Sequence, residues 1–220
     1  MKLFYPFNNI KALVVLLATL ILPTISFAGT RDDRSIELQL QGNLVLGSGA
    51  SVAYNLGDHL TFGVGHYVGS FEGDGETEEN NETFEADFST SELFIRLYFF
   101  ENAGLYISGA FVSRDWEVAV SGFDNDIAGA GAGNYTITAT WPDTGAAYGV
   151  GYNWTARFGL TLGGFLGAVT GGDPELKGET DIAVTQDQLD QQIDEIAEEE
   201  EFDEKYNTIP IVRFQIGYSF

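Results

Sequence analysis

Cysteine is absent from the 220 residues, and histidine is limited to two, His59 and His66. A disulfide scaffold, a thiolate zinc site and a Cys nucleophile are thereby excluded. Basic residues are nearly as scarce. Ten Lys and Arg stand against 33 Asp and Glu, a formal charge of −23 with a pI near 4.1. That balance excludes nucleic acid as a partner, because phosphate binding needs clustered Lys and Arg. No long apolar run follows the first residues, so nothing in the body of the chain can cross a membrane as a helix. What the chain does hold is 27 glycines and 14% aromatics within 44% hydrophobics, too apolar for a disordered acidic polymer. The length suits one domain.

Residues 1–28 read as an address. Lys2 and Lys11 precede the apolar run 12–22, and Pro23 leads into Ser26-Phe27-Ala28. A basic flank, a short apolar stretch and small residues at −3 and −1 predict a secretory signal peptide cut after Ala28. The run is far shorter than the ~20 residues that span a bilayer. No cysteine near the cut is available for lipidation. Residues 29–220 then form the mature domain, with a net charge of −25. It is either soluble in a secreted or periplasmic space, or a β-barrel in a membrane.

The last strand is the most informative. From Pro210 to Phe220, even positions are mostly apolar or aromatic, and Arg213, Gln215, Gly217 and Ser219 fill the odd ones. Period two places these sets on opposite faces of a strand. A soluble sandwich would bury the apolar face, whereas a membrane barrel would turn it to lipid. The ending on Phe220, with Tyr218 and Ile216 at −2 and −4, resembles the C-terminal strand of bacterial outer-membrane proteins. In those proteins a terminal aromatic is part of the assembly signal.

The same parity recurs upstream. Ile36, Leu38, Leu40 and Leu44 alternate with Glu37, Gln39, Gln41 and Asn43, and Gly47-Ser48-Gly49 predicts a turn into Ala50–Leu56. Strands follow over 60–69, 93–100, 105–114, 145–154, 158–168 and the C-terminal stretch. Turns after the second, fourth and sixth strands are short, and loops after the third, fifth and seventh are long. Outer-membrane barrels share this asymmetry. The fold predicted is all-β, an eight-stranded antiparallel transmembrane β-barrel with three long acidic extracellular loops. The last loop is expected to contain a helix from Gln186 to about Glu204, opened by the capping box Thr185-Gln186-Asp187-Gln188. The chain is similar in layout to the OmpA-domain, OmpX and OmpW groups, a resemblance that implies structural, adhesive or small-solute roles.

Of the 33 acidic residues, 28 fall in 71–92, 115–143 and 173–204. They make a solvated, repulsive surface, or one that divalent cations bridge to lipopolysaccharide phosphates. No cofactor is expected. The partners expected are outer-membrane lipid and lipopolysaccharide, and the assembly machinery acting through Ile216, Tyr218 and Phe220. An eight-stranded barrel is just filled by its side chains, so the lumen is expected to be closed and polar. Its cluster is Glu37, Gln39, Gln41, Arg96, Arg213 and Gln215, with Glu37 expected to pair with Arg96 or Arg213, since an unpaired buried charge is costly.

Three functions compete. The first is a non-enzymatic envelope-stabilising or surface-contact protein. The second is an OmpW-like conduit for small apolar molecules, for which the inward residues Phe94 and Tyr98 speak. The third is a lipid-A-modifying enzyme using His66, with Ser70 nearby and Glu72 to orient the ring. No sequence-adjacent nucleophile accompanies His66, which favours the first reading.

Overall fold

The computed structural model describes residues 34–76, 81–100, 103–124, 127, 131–185, 188, 189, 191, 193 and 207–220. The leader expected at 1–28 lies outside them. Ten strands are formed: β1 (Ile36–Asn43), β2 (Gly47–Leu56), β3 (Leu60–Glu76), β4 (Asn81–Phe100), β5 (Ala103–Asp124), β6 (Gly133–Thr140), β7 (Thr144–Thr155), β8 (Leu160–Thr170), β9 (Glu175–Thr180) and β10 (Thr208–Ser219). Eight of them close a barrel in the order β1-β2-β3-β4-β5-β7-β8-β10, every pair antiparallel. The seam between β10 and β1 is tight. Glu37 faces Ser219, Gln41 faces Gln215, and the Phe220 N–H donates to the Ile36 carbonyl at 2.8 Å.

Parity decides which way each side chain points. In β1 the pattern is strict, with Ile36, Leu38 and Leu40 exposed and Glu37, Gln39, Gln41 and Asn43 buried. The outer wall carries Phe62, Val64, Leu93, Ile95, Leu97, Ile107, Phe111, Tyr148, Val150, Leu162, Phe214 and Ile216, all exposed. Apolar surface this extensive is what a lipid-facing barrel presents, and isolated soluble domains keep such patches small. Aromatics gather at the end where β1 starts and β10 finishes, the lower end hereafter: Tyr54, Phe99, Phe100, Phe158, Tyr218 and Phe220. Barrels carry such a girdle where lipid meets water.

The upper end departs from the sequence reading. The acidic stretch 71–92 is mostly strand, because β3 runs to Glu76 and β4 starts at Asn81. Likewise β5 continues to Asp124, β6 pairs with it, and β9 pairs with β6. Two of the three expected loops are therefore largely strand, and with β9 from the third they form a five-stranded sheet, β9-β6-β5-β4-β3, standing above the barrel. Period two persists there with charge replacing apolar residues on the outer face, so strand geometry is kept while the sequence reads as loop. Between β1 and β2 the three-residue turn is Leu44–Leu46, since Asn43 faces Gly47 directly, and not Gly47-Ser48-Gly49. Of the expected helix, Gln188, Leu189, Gln191 and Ile193 are described and helical, with the Leu189 N–H donating to the Thr185 carbonyl at 3.2 Å. The remainder lies outside the described residues.

Candidate functional site

The lower lumen is built around Arg96. It sits on β4 opposite Thr61 and Ser108, and barrel closure carries its guanidinium across to β1 and β10. Nη1 lies 3.3 Å from Glu37 Oε1, and Nη2 donates to Gln39 Oε1 at 3.2 Å and Gln215 Oε1 at 3.4 Å. Both members of this ion pair are almost fully buried, and the Phe94 ring lies 4.4 Å from the guanidinium. The structure thus brings Glu37, Gln39, Arg96 and Gln215 together. Arg213 goes elsewhere.

Arg213 faces Asn43 across the seam and forms a second layer, about two rungs higher. It grips Glu92 with two bonds, Nη1 to Oε1 at 2.9 Å and Nη2 to Oε2 at 3.0 Å. The Tyr67 hydroxyl donates to Glu92 Oε1 at 2.5 Å, with Gln41 Oε1 2.8 Å away. Rings of Tyr67 and Phe165 flank the Arg213 guanidinium at 4.5 and 5.3 Å. Glu92 is hidden in the sequence because it closes an acidic stretch that reads as loop. The signal that could have found it is its even parity with the inward residues Phe94 and Arg96. Space for the Tyr106 ring comes from the glycine directly across on the neighbouring strand β7, where a Cβ at Gly151 would stand 2.2 Å from Tyr106 Cζ.

Above the second layer aromatic and aliphatic side chains dominate, with buried Arg114 and Thr90 among them, so the lumen is not polar throughout. Leu46, Val112, Trp116, Ala139, Trp141, Val169 and Ile211 pack into one buried cluster. Trp116 meets Phe88 edge-on at 5.8 Å and Trp141 at 6.3 Å, while its indole N–H donates to Thr90 Oγ1 at 2.7 Å. Both tryptophans fall in 115–143, a stretch whose sequence reads as loop. Between the two arginines remains a void of about 10 Å³, lined by Glu92, Phe94, Arg96, Tyr106, Phe165 and Arg213. That is room for about one water molecule. Phe94 and Tyr98, the residues favouring a conduit, are packed against Arg96 and Tyr106.

On the outer face of the upper sheet, cross-strand rungs read Val68–Ser89–Asp115, Ser70–Asp87–Glu117 and Glu72–Glu85–Ala119. The acids are exposed, and an open cleft of about 630 Å³ lies between Ser70, Asp87, Asp115 and Glu117. Like charges stand directly opposite at Glu72/Glu85 and Asp87/Glu117, an arrangement that costs stability. Among the described residues, no group of three His, Asp or Glu side chains is placed to hold a metal ion. On the inner face the β6–β9 side of this sheet is covered: Leu189 and Ile193 pack with Ile127, Tyr135, Leu176 and Ile182. Asn134 bonds both oxygens of Asp181, holding that carboxyl below its ordinary pKa. Tyr135 donates to Glu82 at 3.0 Å, and burial together with this bond pushes its phenol up to about 12.

His66 lies where the lipid-type rungs stop. Below it is Val64–Leu93–Phe111, and its own rung is His66–Ser91–Ser113. Ser70 and Glu72 stand about 13 and 20 Å farther up the strand. The side chain that meets the ring is Ser91, with Oγ 3.0 Å from Nδ1. Only strand pairing reveals this partner, 25 residues away in sequence.

No family model matches the sequence, and comparison with curated proteins finds none similar enough. Solved structures do match. CarO2 from Acinetobacter baumannii overlays with a TM-score of 0.65 at 14% identity, covering 85% of this chain and 99% of that one. CarO from the same organism gives 0.63 at 12%, covering 86% and 99%. Both are outer-membrane β-barrels, and likeness at this identity is one of fold.

Proposed function

We propose that the chain is an outer-membrane barrel whose interior passes nothing and whose work is done at the surface. It would stabilise the envelope and present an acidic β-sheet above the membrane. The observation that carries this reading is the filled lumen: two buried ion-pair layers below, an aromatic plug above, and about 10 Å³ between them. The apolar outer wall supports the membrane placement, with the lower end in the periplasm and the acidic sheet outside. The layout is that of the small OmpA-domain, OmpX and OmpW barrels. Lipid and lipopolysaccharide would surround the wall, and Ile216, Tyr218 and Phe220 on the exposed side of the seam would be read by the assembly machinery.

Gel mobility of the protein in isolated outer membranes, with and without boiling, tests the placement. Faster migration of the unboiled sample is expected. A soluble protein with no shift would overturn the membrane reading.

A further inference from the structure

We propose that His66 and Ser91 form a hydrolytic pair acting on carboxylic esters of membrane lipids. This goes beyond the surface-contact role and rests on the same membrane placement. Four features on one face of the wall converge. The first is contact: His66 Nδ1 lies 3.0 Å from Ser91 Oγ, within reach for proton transfer. With the ring proton on Nε2, Nδ1 accepts the serine hydroxyl. Second is height. The rung Val64–Leu93–Phe111 directly beneath is exposed and apolar, so acyl chains of a surrounding lipid lie against it and their ester groups sit at the level of His66. Third is the open cleft of about 630 Å³ above, floored by Val68 and Ser89, one rung from the pair and large enough for a headgroup. Fourth, Ser113 stands directly across from Ser91 on β5 and is exposed on the same face. Directly opposed residues have Cβ atoms about 5 Å apart, so its hydroxyl can donate to the carbonyl oxygen as negative charge develops there.

The chemistry balances without a cofactor. Ser91 Oγ attacks the ester carbonyl carbon, and its proton passes to His66 Nδ1. The bond from carbon to the alcohol oxygen breaks, and His66 delivers the proton to the departing alkoxide. Water then attacks the acyl-serine. His66 takes a proton from it and returns one to Ser91 Oγ, releasing the free fatty acid.

The test uses the full mature barrel, refolded in mixed detergent–phospholipid micelles and checked by its gel shift. A fluorophosphonate that phosphonylates activated serines is the reagent, with labelled peptides located by mass. Labelling at Ser91 is expected. It should vanish in Ser91→Ala, slow at least 10-fold in His66→Gln, and persist in Ser35→Ala at the lower end of the barrel. All three side chains are exposed, so folding is retained. A long-chain p-nitrophenyl ester should be hydrolysed in the same order. Folded protein that takes no label at Ser91, or labels equally in His66→Gln, overturns the proposal and leaves the surface-contact reading standing.

Discussion

Replacing Arg213 with leucine would strip the second lumen layer of its cation. Glu92 would keep the Tyr67 hydroxyl but lose both guanidinium bonds, at 2.9 and 3.0 Å, while staying about 5% exposed. A buried carboxylate without its partner is strongly unfavourable, and breaking such pairs costs roughly 3–5 kcal/mol. Loss of the stacking on Tyr67 and Phe165 is included in that range. Removing both charges behaves differently, because two apolar side chains of similar volume are often neutral or stabilising relative to the pair. Arg213→Leu alone should therefore lower unfolding stability by about 3–5 kcal/mol, and Arg213→Leu with Glu92→Leu should regain most of it. The assay is urea unfolding of the barrel in lipid vesicles, followed by tryptophan fluorescence and gel shift. A single variant within about 1 kcal/mol of the parent would show that water reaches Glu92 and that the lumen is not sealed. A double variant whose loss is the sum of the two singles would refute the pairing.

Other outcomes follow from the same packing. Gly151→Ala should destabilise by about 1–3 kcal/mol in that unfolding assay, through the Tyr106 ring 2.2 Å from the new Cβ, whereas Gly109→Ala, with nothing within 4 Å, should be neutral. In a spectrophotometric titration at alkaline pH, the phenol amplitude near 12 should fall in Tyr135→Phe. Its folded pKa is raised, so the Tyr135–Glu82 contact contributes fully below the ordinary phenol pKa of about 10 and is lost as pH rises through 12. Asp181 runs the other way. Its depressed pKa means that the Asn134–Asp181 latch holds above the ordinary carboxylate range and opens as pH falls through the folded value, read as loss of the Asn134 amide's protection relative to its intrinsic exchange rate at each pH. Deleting Phe220 removes two backbone bonds to Ile36 on the closing seam and should lower the yield of heat-shifting protein in outer membranes.

The sequence made the barrel wall legible because its outer positions contrast with its inner ones. Ile36 to Asn43 announces its two faces residue by residue, and β10 does the same from Arg213 to Ser219. Where the outer face leaves lipid, that contrast disappears. Glu72, Glu85, Asp87 and Glu117 occupy strand positions, yet they read as solvated loop because water suits them equally well. Phe84, Ala86 and Phe88 alternate beneath them and were the overlooked sign of β4. Pairing across the lumen was half legible. Charge neutrality required a partner for Glu37, but which arginine reaches it depends on the stagger of the closed sheet, and the Glu92–Arg213 grip spans 121 residues. The partner of His66 was hidden for the same reason. Only the register of β3 on β4 sets Ser91 beside it.

The sealed interior is tested most directly by single-channel recording of the refolded wild-type barrel in planar bilayers, at neutral pH and moderate salt. With two ion-pair layers and the Trp116–Trp141 plug in place, no stepwise conductance is expected. Steady, reproducible current steps from heat-shift-verified protein would contradict a filled lumen and restore the conduit reading.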